Sequence, residues 1–207
     1  MVIQHIIVKH MIILAFLGLQ TAQPNRAAAT QQDSDRVSEA VALFRNKQYD
    51  TAMSQFRDLG EKAIPAVLNL IQSDEVPVGV RMFGLFGFIS SIEGESANGA
   101  LIELLSARIP FLRGQSAGEI GRRKVKAAIP NLIHLLDDKE ICLTTSITDP
   151  YRERHTLVRD TAIDALEAIT GKKLSKNRSY EEKAKAWAGW WHRQRTIDEH
   201  RSVPRVN

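Results

Sequence analysis

Apolar side chains recur at helical spacing from residue 35 onward. Val37, Val41 and Phe44 form one stripe, and Ala52, Phe56 and Leu59 form another after the polar turn Lys47-Gln-Tyr-Asp50. Groups three and four apart share one face of a helix, so the two stripes predict a helical hairpin over residues 30–59. Beyond it the pattern repeats. Ala63-Ile-Pro-Ala-Val-Leu-Asn-Leu-Ile71 matches Ala128-Ile-Pro-Asn-Leu-Ile-His-Leu-Leu136, and Ala97-Asn-Gly-Ala-Leu-Ile-Glu-Leu-Leu105 lies between them. Each segment places apolar groups at equivalent positions: Val67, Leu68, Ile71; Leu101, Ile102, Leu105; Leu132, Ile133, Leu136. Pro65 and Pro130 stand where such helices begin, at a position whose N–H would have no partner in any case.

A second helix type alternates with these. It reads as Val80 to Ile89, Leu112 to Gly121 and Val158 to Ile169, each with an arginine followed three residues later by a small side chain: Arg81 and Gly84, Arg113 and Ser116, Arg159 and Ala162. Small residues there predict close approach of paired helices, and Gly84 and Gly87 are expected to serve it. Without that purpose a glycine weakens a helix by about 1 kcal/mol. The array is interrupted within 139–155, whose β-branched start predicts a short hairpin arm and whose Asp149-Pro150 marks a turn. Being polar, the excursion is expected to add little to the core.

Residues 117–121 and 127–138, together with Val158-Arg159, Ala162, Ala165-Leu166 and Ile169-Thr-Gly171, resemble the HEAT-like repeats named for phycobilisome lyases. The hairpin over 30–59 is loosely similar to a tetratricopeptide unit and is expected to act as an N-terminal cap. Trp187, Trp190 and Trp191 look like the tryptophan-rich helix that closes many exported bacterial HEAT-repeat proteins, and are expected to be a structural cap. The resemblance spans roughly residues 60–192 and implies an all-α fold, a right-handed α-solenoid (an ARM/HEAT-like superhelix) of three to four helical hairpins. The repeat domain is expected over 60–196, followed by a disordered tail over 197–207.

The leader changes where such a protein would work. Residues 1–29 hold no acidic side chain; Lys9 and His10 precede the apolar run from Met11 to Leu19, and Ala27-Ala-Ala29 precedes Thr30. Basic, then apolar, then small residues describe a cleavable signal peptide and predict export to the periplasm or beyond. Nine apolar residues are too few for a permanent membrane span. Without residues 1–29 the chain keeps 26 basic and 24 acidic side chains, so its charge of +2 is no nucleic-acid footprint. Residues 151–207 carry 13 basic and 8 acidic groups, which could favour an acidic partner but more often marks only a solvated face.

Candidate chemistry is sparse. Gly114-Gln-Ser116-Ala-Gly118 spells G-x-S-x-G, and Asp149 and His155 follow in hydrolase order, but the stretch reads as helix and lacks the strand a nucleophile elbow requires. His134, Asp137, Asp138, Glu140 and Cys142 cluster in sequence without metal-ligand spacing. The basic strip Lys172, Lys173, Lys176 and Arg178 stands alone. No catalytic residue, metal or cofactor is therefore predicted. The expected activity is non-enzymatic binding of another protein or peptide, with Tyr151, Arg152, Arg154 and His155 of the insertion as candidate anchors. The alternative is a bilin-lyase-like or other enzyme that holds its substrate on the repeats. Oligomeric state is not encoded in these patterns.

Overall fold

The computed structural model describes residues 23–146, 153–175 and 178–202. They are mostly helical and form two compact units that divide after Ala66.

In the first unit, α1 (Gln23–Arg45) packs on α2 (Tyr49–Leu59), and a 3-10 turn, Gly60–Ala63, follows. Ala40, Phe44, Ala52, Phe56 and Leu59 are buried, with the Phe44 ring 6.2 Å from Phe56 and edge-on to Tyr49 at 4.9 Å. Lys47 takes a left-handed φ of 64° at the predicted turn. Residues 1–22 of the expected leader lie outside the described residues, and in the unprocessed chain α1 runs through the expected cleavage point before Thr30.

Helix α3, Ile64–Gln72, carries the chain into the second unit. A π-helical stretch, Val80–Leu85, then runs into α4 (Phe86–Ser91), followed by α5 (Glu95–Leu104) and α6 (Pro110–Arg123). The 3-10 turn Lys126–Ala128 leads into α7 (Ile129–His134), which tightens into another 3-10 turn at Leu135–Asp137. Strands β1 (Ile141–Ser146) and β2 (Glu153–Leu157) pair antiparallel, with Thr144 opposite His155 and an irregularity between Ile141 and Leu143. Helices α8 (Val158–Thr170) and α9 (Tyr180–Ser202) complete the unit.

The repeated stripes face inward. Val67, Leu68, Ile71, Leu101, Leu105, Leu132 and Leu136 are buried, while Ile102 and Ile133 are half-buried. Pro110 and Pro130 sit in the first turns of α6 and α7. Gly171 ends α8 with a φ of 69°, as the Thr170-Gly171 stop predicts, and Lys124 ends α6 in the same left-handed region. Helix α6 lies along α8, with α5 on α6, α7 on α8, and α9 against both α8 and α7.

Three expectations need correction. Helix α9 continues to Ser202, through the first part of the tail expected to be disordered; 203–207 lie outside the described residues. Its last turns show no apolar stripe because they extend a helix already nucleated by the buried Ala184 and Trp187, and propagation needs no buried face of its own. Gly84 and Gly87 do not serve close packing. A Cβ on Gly87 would meet nothing within 4 Å among the described residues, and one on Gly84 would meet only Val80, at 3.8 Å. They lie instead where the backbone changes from π to α geometry, which relaxed sterics permit. The third correction concerns the interruption, whose base is packed core. Cys142 of β1 is buried, and a Cβ on Gly114 of α6 would lie 2.5 Å from both its Cβ and its Sγ.

Candidate functional site

Arg113 stands in the first turn of α6, and all three of its guanidinium nitrogens donate hydrogen bonds. Its Nε donates to Asp138 Oδ2 at 2.7 Å and Nη2 to Glu140 Oε2 at 2.6 Å, while Nη1 donates to the carbonyls of Ala107 at 2.8 Å and Arg108 at 3.2 Å. Burial works to lower its pKa, but the hydrogen bonds it donates to Asp138 and Glu140, and their negative charges, outweigh it and hold the group above the ordinary arginine value. The segment leading into β1 is thus tied to α6. The carbonyls of Asp138 and Glu140 also accept from the N–H groups of Arg159 and Val158, which ties it to α8.

The equivalent arginines on either side are placed alike and paired poorly. Side-chain exposure is 11% for Arg81, 12% for Arg113 and 16% for Arg159. Arg81 Nη1 lies 3.6 Å from Asp74, too far for a hydrogen bond, and Arg159 Nε lies 3.4 Å from Asp160 without alignment for one. Both Nε groups are buried with no hydrogen-bond partner among the described residues.

Each of these two arginines lines an open cleft. The first, about 380 Å³, is formed by α3, the π-helical stretch and the α5–α6 connection, and holds Arg81, Arg108, Gln72, Glu103 and Ser106 over Ile71 and Leu112. Gln72 donates to Glu103 there at 2.6 Å, and Arg108 meets Asp74 at 3.2 Å. The second, about 390 Å³, lies between α7 and α9 and holds Arg159, His134, Lys139, Lys185, Asp137 and Glu181. Nothing in the repeat pattern distinguishes Arg81 and Arg159 from Arg113, so the sequence marks all three only as repeat positions.

An aromatic pair lies near the first cleft in sequence. Phe83, on the π-helical stretch, is 71% exposed and meets Phe111 of α6 edge-on at 5.3 Å. A π-turn advances about 4.4 residues per turn, so Phe83 and Arg81 leave the backbone on nearly opposite sides.

Of the candidate anchors, Tyr151 and Arg152 lie outside the described residues, as does the side chain of Arg154, whose backbone is in β2. His155 is exposed on β2. Trp187 is fully buried and its ring meets Trp190 edge-on at 5.2 Å; Trp190 and Trp191 are half-buried. Ser116 lies mid-helix, buried, with its hydroxyl unpartnered among the described residues, and Asp149 is outside them, so no nucleophile elbow is built. Among the described residues no group of three His, Cys, Asp or Glu side chains gathers as a metal site, and no helix is long and apolar enough to cross a membrane. Burial raises the Cys142 thiol pKa.

Comparison with family models, with curated proteins and with solved structures gives no match for this chain.

Proposed function

We propose that this chain is an exported, non-enzymatic scaffold whose second unit is a right-handed solenoid of HEAT-like helical pairs and binds another protein or peptide. The observation that carries the reading is Phe83. A phenylalanine 71% exposed on a helix of irregular geometry, held edge-on against a second aromatic ring, is the kind of side chain that anchors interfaces. The alternation of stripes along the chain and the packing of α6 on α8 and α7 on α9 support the solenoid. The acid-free leader supports export.

Cross-linking in the native cell envelope followed by mass spectrometry tests the binding reading. Cross-links from residues flanking Phe83 to one reproducible partner are expected, and Phe83→Ser is expected to remove them. Wild-type chain that yields no cross-links to another protein overturns the scaffold. The same preparation reads the leader: an N-terminus near Thr30 is expected, and full-length chain recovered from the cytosol overturns export.

A cleft of about 380 Å³ also falls within the size of small-molecule sites, roughly 300–1,000 Å³. The enzyme alternative therefore has its own test. Covalent attachment of an open-chain tetrapyrrole to an acceptor protein, dependent on this chain, would establish it.

A further inference from the structure

Three arginines at one repeat position share one degree of burial and differ in what they hold. Arg113 grips two carboxylates of the same chain, Asp138 and Glu140, two residues apart on the segment entering β1. Arg81 and Arg159 are side chains of similar partial burial, each with Nε enclosed and unmet and a carboxylate nearby that is too far or too poorly aligned to satisfy it. A buried donor with no acceptor is costly, and a guanidinium is built to hold carboxylates through parallel hydrogen bonds. Arg113 therefore shows, inside the molecule, what its two counterparts lack.

From this arrangement we propose that the clefts at Arg81 and Arg159 each receive an aspartate or glutamate side chain of an acidic peptide, as Arg113 receives Asp138 and Glu140. This rests on the scaffold reading and names the chemistry of its partner. With Lys139 and Lys185, Arg159 makes three cations against the two carboxylates Asp137 and Glu181, so that cleft favours an anion. Around Arg81 the balance is closer, because Glu103 accepts from Gln72 and Asp74 lies between Arg81 and Arg108. Asp74 is 74% exposed and its ion pair with Arg108 is a surface one, the kind that contributes little. It occupies the seat loosely, and an incoming carboxylate displaces it. Removing Asp74 should then improve binding.

The test uses the full chain without its leader and a fluorescein-labelled peptide of repeated Glu-Gly-Glu, with its Gln-Gly-Gln counterpart, read by fluorescence anisotropy at low salt. The glutamate peptide is expected to bind at least about tenfold more tightly than the glutamine one, as charge-assisted bonds are lost in the latter. Arg81→Gln and Arg159→Gln are each expected to weaken it by about three- to tenfold, and Asp74→Asn to tighten it by about threefold. Thermal melts accompany the arginine variants; Asp74 is exposed, so a gain on its replacement cannot come from misfolding. Equal binding of the two peptides, or an Asp74→Asn variant that binds no better, overturns the proposal. Should that happen while envelope cross-links persist in the Arg81→Gln/Arg159→Gln chain, the carboxylate seats are wrong and the scaffold stands. Absence of cross-links in the wild type removes the scaffold itself.

Discussion

Helix α6 and the stretch Val80–Ser91 carry one short pattern in common, an arginine followed three residues later by a small side chain. In α6 two of the three glycines, Gly114 and Gly121, face a neighbour closely, and only Gly118 is open. A Cβ on Gly121 would lie 2.8 Å from the Cα of Ala165, one on Gly114 would run into Cys142, and Ser116 and Ala117 are buried against neighbours. In Val80–Ser91 the glycines are open, and the backbone itself has changed, passing through a π-turn before returning to α geometry. One set of glycines makes room for a neighbour, and the other makes room for a different backbone. The first builds core; the second carries Phe83 and Arg81, the two side chains that most invite a partner.

The contrast is sharpest at Gly121. Its would-be neighbour is backbone, which cannot step aside, so Gly121→Ala should push α6 from α8 and cost about 2–3 kcal/mol, lowering the melting temperature by roughly 5–10 °C. A thermal melt that barely moves would mean the two helices slide freely and the distinction between the regions fails. Gly114→Ala meets a side chain on a strand that can shift, so a smaller loss of about 1–2 kcal/mol is expected. Pairing it with Cys142→Gly should recover part of that loss, and additivity of the two changes would show that they do not touch.

The two regions are joined by Arg123 of α6, whose guanidinium donates to the Ser90 carbonyl at 2.8 Å and whose Nε donates to Glu119 at 2.8 Å. Hydrogen bonding from Arg122, then from Arg123, holds the Glu119 carboxyl below its usual pKa against the opposing effect of burial. A carboxyl with a depressed folded pKa contributes stability above its unfolded pKa, near 4.3, and loses it as pH falls through the folded value. Glu119→Gln should therefore cost about 1 kcal/mol at pH 7, and its melting difference from wild type should vanish in acid. A difference that persists unchanged to low pH would assign the loss to packing. The smallest effect has the opposite sign. Gly87→Ala, in open space on α4, should stabilise by about 0.5–1 kcal/mol, and destabilisation in urea titrations would reveal a close contact at that position.

Much of the helical order was legible because burial imposes a period. Val67, Leu68 and Ile71 announce their helix, and the Ala63-Ile-Pro and Ala128-Ile-Pro starts announce where two helices begin. Periodicity marks a helix only where apolar residues recur, and the sequence beyond residue 197 has no such stripe although α9 runs on to Ser202. Nor does it register a π-turn, since one extra residue in a turn leaves no mark among short apolar runs. The candidate site was least legible of all. Arg81, Arg113 and Arg159 look alike along the chain, and what separates them is the acceptor each one reaches. For Arg113 that acceptor comes from 25 residues away, across a loop that sequence treats as an excursion. The polarity of Asp138 and Glu140 points to solvent, and Glu140 does stay 62% exposed, yet both carboxylates meet the guanidinium of Arg113.

The chain's one cysteine gives the docking of β1 on α6 a clock. Cys142 Sγ is enclosed at the hairpin base, donating to the Thr156 carbonyl at 3.3 Å, and burial keeps it protonated above the usual thiol range. A thiol reagent can reach it only in molecules whose hairpin has lifted. The labelling rate thus counts openings of this one seam, whether it lifts alone or with the unfolding of the whole chain. Denaturant that leaves the labelling rate flat while the helices melt would report a hairpin that leaves early and often; parallel curves would report a hairpin that leaves only when everything does.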